Sequence, residues 1–458
     1  METVYTHSSD TPLVVVGGSA AGVAAVEAAR EAGYDGPAII LHAEDRPPYK
    51  RTKISKTMVD DPERDAFALH DDAWYREQRV ECRTDCEVVS VDARRQVVTL
   101  GDASALPYGA LVLALGAEPV LPGVAGLDTV PVHMPYTQAA VEDLTAFVKA
   151  RLQQRGACAV SIIGCGITAL EVADQLLQLG ASVHLFGRGR RLMRGALNSD
   201  VQAHLRQRML TAGLTLYENR EVRSVGVSGD TVEVLHGLSE LGSPADAHGP
   251  AVAIGPAGTR TGAGAGSRSG AGSRGASETR TTDALVVACG LIPRTIPGIA
   301  EAGLGQPGNG IPVDRTLQVV GHEGVFACGD CARHPDDRIT WLWRDAKRQG
   351  AVAGENAARL LGGLSSSSTL KEYRYVPFRL KTAVFGDYYF SISAPDSEFL
   401  EDDESPATCV DRSENRYRAL WVREGRVVRI VMMNDQEHAD DYMAAVVEGW
   451  SPERVRGL

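Results

Sequence analysis

The sequence predicts an α/β fold: two Rossmann-like dinucleotide-binding domains, the first split along the chain and the second inserted into it, plus a C-terminal α+β domain. Two glycine-rich fingerprints and one distant Gly-Asp carry that expectation. The first fingerprint is Val14-Val15-Val16-Gly17-Gly18-Ser19-Ala20-Ala21-Gly22, where an apolar run leads through glycines into an alanine-rich stretch. The second is Ser161-Ile162-Ile163-Gly164-Cys165-Gly166-Ile167-Thr168-Ala169-Leu170-Glu171, in the same order. The third signature is Gly324-Val325-Phe326-Ala327-Cys328-Gly329-Asp330. One such motif alone is weak. Strand, glycines and helix in that order twice, closed by a late Gly-Asp, imply two nucleotides meeting in one protein.

The elements follow in order. Residues 13–16 are a short apolar run bounded by glycine, as expected of a strand buried on both faces. A helix over 20–31 ends at Gly33, and a second strand at 38–42 completes a βαβ unit. Residues 47–85 read as loop and short helices. Apolar and polar residues alternate over 88–100, which predicts a small antiparallel sheet, and 110–116 is another buried strand. The second unit opens near Gly126, with a helix over 139–153, strands at 159–163 and 182–186 flanking a helix through 171–179, and a closing strand at 285–290. Within it, residues 255–277 are nearly all Gly, Ala, Ser, Thr and Arg, a composition that cannot bury a core and predicts a flexible loop. After Pro293 the chain returns to the first domain through 325–330 and a helix over 345–361. Serines 365–368 read as a linker, and strands at 383–393, 418–423 and 427–433 with a helix near 437–447 make the last domain. The expected division is 1–125 and 294–368 for the split domain, 126–293 for the inserted one with its Gly-rich loop at 242–282, and 373–458 for the C-terminal domain.

Composition narrows the classes. The 458 residues suffice for about three domains. No apolar run approaches the ~20 residues of a membrane span, and residues 1–10 are polar, without the apolar core of a signal peptide. A soluble, cytoplasmic protein with no membrane partner is expected. The net charge of −12 argues against a nucleic-acid partner, whose phosphates demand a basic surface. The eight cysteines are scattered, which suits a reducing compartment. Cys328-x-x-Cys331 lacks a second Cys/His pair to complete a zinc set, so packing is expected there and no metal. Cys82 and Cys86, in a polar segment that reads as an edge strand, are also expected to be structural.

Each motif has its chemistry. Gly17 and Gly22 let the backbone turn tightly and bring the helix close to the strand, so that the helix N-terminus at Ser19, Ala20 and Ala21 faces a pyrophosphate. Ser19 takes the place of the middle glycine. Glu44 follows the second strand, where an acid can bind adenosine ribose hydroxyls; the alternative is an exposed turn acid. Gly329-Asp330 presents a carboxylate able to anchor a ribityl chain, which makes FAD the expected first cofactor, with Gly116 at the end of the 110–116 strand assigned to the same site. In the second fingerprint Gly164, Gly166 and Ile167 cradle the pyrophosphate of a nicotinamide nucleotide. The strand that follows ends Leu185-Phe186-Gly187-Arg188-Gly189-Arg190-Arg191. The acid that would bind a 2′-hydroxyl is missing and arginines follow, so Arg188 is expected to meet a 2′-phosphate and NADPH is favoured over NADH. The alternative is that these arginines cover a solvated turn.

This order of motifs resembles the two-dinucleotide flavoprotein reductases over nearly the whole chain. Arg46-Pro47-Pro48-Tyr49-Lys50-Arg51-Thr52-Lys53-Ile54-Ser55-Lys56 resembles the Pro-Tyr-x-Arg-x-x-Leu-Ser-Lys segment of the ferredoxin- and rubredoxin-reductase branch, which includes apoptosis-inducing factor. The resemblance implies that Arg51 helps hold the FAD pyrophosphate and that Lys56 approaches the flavin, stabilising its reduced, anionic form. The alternative leaves Lys53 and Lys56 as surface charges. The disulfide-reductase branch carries a Cys-x4-Cys in this region, and the coenzyme A disulfide reductases a single Cys. This chain has no cysteine between Met1 and Val80, so no thiol relay is expected. Trp341-Leu342-Trp343 ahead of Ala346-x-x-Gln349-Gly350 resembles the Glu-His-Trp…Ala…Gln-Gly stretch of ferredoxin reductases, which implies a catalytic position near the flavin for Trp343 beside Lys56. Trp341 stands where those enzymes carry Glu. The C-terminal unit is similar to the cap of rubredoxin reductases and of the flavoprotein part of nitrite reductases, without the iron–sulfur and sirohaem cysteine sets.

The expected function is an FAD-dependent NAD(P)H oxidoreductase passing hydride to FAD and electrons to a small redox protein. The alternative is a flavoenzyme acting directly on a small molecule or oxygen; a flavin-bound sensor or scaffold is the third. Trp341 and the acidic run Glu401-Asp402-Asp403-Glu404 weigh toward the alternative. A homodimer is expected by analogy alone.

Overall fold

A computed structural model describes residues 11–60, 63, 65–239, 253–254, 277–363, 370–377, 379–394, 407–413 and 415–458, with 194, 195, 253 and 254 described by backbone only. The chain divides into two compact units: Met1–Lys53, Pro62–Glu118 and Leu291–Tyr375 form one, and Ile54–Asp61, Pro119–Gly290 and Val376–Leu458 the other.

The first unit is built on a five-stranded parallel sheet. Its order is Val325–Ala327, Ala110–Leu113, Leu13–Val16, Ala38–Leu41 and Val80–Arg83. Leu13–Val16, Ala38–Leu41 and Ala110–Leu113 are buried at every residue, which is why they read as continuous apolar runs rather than alternating ones. The Cys82 strand sits at the sheet edge, as its polar sequence anticipated. Helix Ala20–Glu31 packs on helix Trp343–Leu361 through small residues. A Cβ added at Gly350 would lie 2.1 Å from the Ala21 carbonyl oxygen, and one at Gly354 would lie 1.8 Å from that of Ala25. The two backbones therefore touch. A three-stranded antiparallel sheet, Val88–Asp92, Val97–Leu100 and Ala105–Pro107, completes the unit. Cys328 and Cys331 are fully buried here, and the Cys331 thiol, pushed up to about 11 by burial, donates to the Leu113 carbonyl at 3.4 Å. All eight cysteines are free thiols.

The second unit repeats the parallel theme. Its six-stranded sheet runs Ala253–Ile254, Thr215–Glu218, Ser182–Gly187, Ala159–Ile163, Ala284–Val287 and Val132–His133, with Ala253–Ile254 antiparallel. Arg220–Ser228, Thr231–Leu238 and Glu278–Thr282 form an antiparallel meander. The expected loop over 242–282 thus ends in a strand. Glu278-Thr279-Arg280-Thr281-Thr282 is rich in β-branched threonine, which favours pairing, and it runs against Thr231–Leu238. The C-terminal strands form one five-stranded antiparallel sheet, Arg379–Val384, Asp387–Ser393, Arg426–Met433, Tyr417–Arg423 and Cys409–Arg412, against which Ala439–Glu448 packs. Most of the Gly-rich stretch, the serine linker and the acidic run at 401–404 lie outside the described residues. No helix among the described residues is long and apolar enough to cross a membrane.

Candidate functional site

The first site lies at the carboxyl ends of the first unit's strands, where open α/β sheets bind ligands. Gly17 has φ +115°, and a Cβ there would come within 2.1 Å of the Ala114 carbonyl oxygen. A Cβ at Gly22 would lie 2.0 Å from the Gly17 oxygen, so glycine alone lets the helix start tuck under the loop. Ser19 is the extended N-cap of Ala20–Glu31 and makes no side-chain cap bond. The first helical N–H groups, from Ala20 and Ala21 onward, are left for an anion. The cradle fits a dinucleotide pyrophosphate.

Glu44 is not a free turn acid. Its Oε1 accepts from Arg51 Nη2 at 2.6 Å and its Oε2 from the Tyr49 hydroxyl at 2.8 Å. Burial pushes this carboxyl up, but Arg51 and Tyr49 outweigh it and hold the group below its ordinary range. Arg51 opens the short 3-10 helix Arg51–Lys56 and also acts on Asp330. Enclosure pushes the Asp330 carboxyl up to about 7, against the pull of Arg51. The turn carrying Asp330 is pinned by Gln349, which is fully buried: Gly329 N donates to its Oε1 at 2.8 Å, and its Nε2 donates to Thr340 Oγ1 at 2.7 Å. Gly116, with φ +71°, accepts from Arg294 N at 3.0 Å. Trp343 begins helix Trp343–Leu361 half-buried; its buried Nε1 has no hydrogen-bond partner, and the Lys347 ammonium lies 5.5 Å from its ring centroid. Trp341 is half-buried too.

The second site belongs to the second unit. Gly164 has φ +124° and its Cβ would come within 2.3 Å of the Ala288 oxygen, the same close approach as at Gly17. Gly166 is the N-cap of Ile167–Gln178, and a Cβ there would meet nothing within 4 Å, leaving open space before the helix N-terminus. Arg188 follows the last residue of Ser182–Gly187, exposed and without an ion pair among the described residues.

Lys56 also falls in the second unit, because the chain passes between units at Lys53 and Ile54. Its ammonium lies 3.2 Å from Glu171 Oε1. Glu171 is 5 % exposed and also accepts from Ser55 Oγ at 2.5 Å and Thr382 Oγ1 at 2.6 Å. A buried carboxylate with three donors is well satisfied, and it fixes Lys56 against the second fingerprint's helix. The structure thus brings Glu44, Arg51 and Asp330 together in one unit, and Lys56 together with Glu171 in the other. Glu171 and Thr382 were missed by sequence reasoning. The only local signal was an acid within the otherwise apolar Ala169-Leu170-Glu171-Val172-Ala173. His42 was missed as well: its ring fills the space a Cβ on Gly18 would need, 2.5 Å away, and burial pushes it down to about 4, so it is neutral.

Two glycine turns, each leading from a strand of its unit's sheet into a helix, give an α/β protein with the geometry of two dinucleotide cradles. Residues 11–350 match the model of the pyridine nucleotide-disulphide oxidoreductases, and the chain belongs to that family. The anthranilate 1,2-dioxygenase system ferredoxin–NAD(+) reductase component of Burkholderia cepacia is 30% identical over 371 residues, 77% of this chain and 76% of that protein. Apoptosis-inducing factor 3 of Mus musculus is 26% identical over 438 residues, covering 93% of this chain, which spans 62% of that longer protein. Among solved structures, a ferredoxin reductase from Rhodopseudomonas palustris superposes with a TM-score of 0.73 at 20% identity over 97% of each chain. NADH:rubredoxin oxidoreductase from Clostridium acetobutylicum gives 0.66 at 19% identity over 96% of each chain. At these identities the two structures show the shared fold.

Proposed function

We propose that the protein is an NADPH-dependent reductase that passes electrons through FAD to a small redox protein of the ferredoxin or rubredoxin type, in the cytoplasm and as a homodimer. The observation that carries this reading is the cysteine-free stretch from Met1 to Val80, which contains the first fingerprint and the Arg51–Lys56 turn. With no thiol there to relay electrons, an external acceptor would have to take them directly. The named relative from Burkholderia supports that class of acceptor. Its name carries NAD(+), whereas the Arg188-Gly189-Arg190-Arg191 run supports NADPH for this chain. The division 1–125, 126–293, 294–368 and 373–458 is the domain plan we assign to it.

FAD, when bound, accepts a hydride from the reduced nicotinamide and releases electrons onward. The chain's own residues bind, orient and tune. Gly17, Ser19, Ala20, Ala21 and Gly22 would hold the pyrophosphate with backbone N–H groups, helped by Arg51. Glu44, kept ionised by Arg51 and Tyr49, would accept from ribose hydroxyls, and Asp330 from the ribityl chain, with Gly116 and Gly329 allowing close approach. Trp343 would cover the ring system. Lys56, its position set by Glu171, would keep the charge-stabilising role that the resemblance implies. Gly164, Gly166 and Ile167 would hold the nicotinamide nucleotide, with Arg188 on its 2′-phosphate.

Trp341, in place of the acid that ferredoxin reductases carry, favours the second reading of direct action on a small molecule or oxygen. Reduction of a [2Fe–2S] ferredoxin and of a rubredoxin by NADPH distinguishes the two. The proposal expects turnover that requires one of these carriers; rapid consumption of oxygen with both carriers idle supports the second reading instead.

A further inference from the structure

The strand Ser182–Gly187 ends without the acid that would bind a ribose diol, but the neighbouring strand supplies one. Glu218 is the last residue of Thr215–Glu218 and pairs in parallel register with Gly187. It therefore stands at the carboxyl edge of the sheet, one strand out from the second fingerprint, where the adenosine end of a nucleotide lies in such folds. This acid is not free. Arg206, from helix Ser199–Thr211, donates Nε to Glu218 Oε1 at 2.6 Å, and its Nη2 donates to the Arg190 carbonyl. The two side chains are 25% and 20% exposed, so the pair is held at the protein's edge rather than waving in solvent. The thiol of Cys165, between Gly164 and Gly166, is raised chiefly by burial but also feels Glu218, Arg188 and Arg206. Four charged or titratable groups thus converge on the loop that holds the nucleotide.

That placement has a consequence for nucleotide choice. A 2′-phosphate beside a bare carboxylate meets like charge, whereas a ribose diol meets a hydrogen-bond acceptor. We propose that the Arg206–Glu218 pair sets the selectivity of the second site: Arg206 occupies and neutralises Glu218, leaving Arg188 to engage the 2′-phosphate. Without Arg206, Glu218 becomes a diol acceptor and the site turns toward NADH. This rests on the reading of the second site as the nicotinamide-nucleotide site with Arg188 at its 2′-phosphate end. Arg206 and Glu218 are specificity-determining residues, with no part in hydride transfer.

The test is equilibrium binding of NADP+ and NAD+ to the FAD-loaded protein by calorimetry, with flavin content and melting midpoint checked for each variant. Arg206→Ala is expected to weaken NADP+ binding about tenfold while NAD+ binding holds or tightens. The Arg206→Ala/Glu218→Gln double variant is expected to recover NADP+ binding, because the exposed charge is gone. Equal losses for both nucleotides in Arg206→Ala, or no recovery in the double variant, overturns the inference. A wild-type protein that binds NAD+ more tightly overturns the NADPH reading alone, since the shift in the NADP+/NAD+ ratio between variants still judges the pair.

Discussion

Asp330 carries the least favourable electrostatics of the first site. Its ordinary value is 3.8, and enclosure pushes it up to about 7 despite Arg51. The folded value lies above the unfolded one, so the ionised form is disfavoured by folding. The resulting destabilisation is absent below about pH 4, grows as pH rises and is complete above about pH 7. Asp330→Asn removes it. Thermal melting of the FAD-free protein is expected to show the variant level with wild type near pH 4 and more stable near pH 8, while FAD is bound less tightly because an acceptor has been weakened. A melting difference that does not change with pH contradicts this. At this scale the sequence was informative wherever chemistry is local: Gly17, Gly22, Arg51 and Asp330 stand in short motifs. It was silent on Glu171, whose partners Ser55 and Thr382 lie 116 and 211 residues away. Nothing local announces a pair that the fold alone assembles.

Helices Ala20–Glu31 and Trp343–Leu361 meet backbone to backbone, and Gly354 is the tightest point of that contact. Alanine has the better helix propensity by about 1 kcal/mol, which would stabilise an exposed helix. Here its Cβ would sit 1.8 Å from the Ala25 oxygen, backbone that cannot swing aside. Overpacking of this kind costs roughly 1–3 kcal/mol. Gly354→Ala is therefore expected to lower the denaturant midpoint of the FAD-loaded protein, and an unchanged or higher midpoint contradicts the packing account. Among elements, the buried strands Leu13–Val16, Ala38–Leu41 and Ala110–Leu113 were legible because burial on both faces writes continuous apolar runs. Glu278–Thr282 was not, because it has only one buried residue in five and adjoins a Gly-rich stretch that hid its threonines. Pairing with Thr231–Leu238, a tertiary contact, made it a strand.

For the whole molecule, two glycine turns that each lead from a buried strand into a helix are the central feature, and both were legible in the two glycine fingerprints. Their arrangement into units was less so. Lys56 belongs with the second fingerprint although only four residues separate it from Arg51 of the first unit, and the C-terminal strands group with Pro119–Gly290. Contacts distant in sequence decide such groupings, and a linear pattern of glycines and apolar runs does not record them. The account stands or falls on electron flow from the nicotinamide to the flavin. The most direct measurement is an anaerobic titration of the purified, FAD-loaded protein with NADPH and, separately, with NADH, following the flavin band near roughly 450 nm. Rapid, stoichiometric bleaching, tighter with NADPH, is the predicted result. A band left untouched by either nucleotide would contradict the reductase.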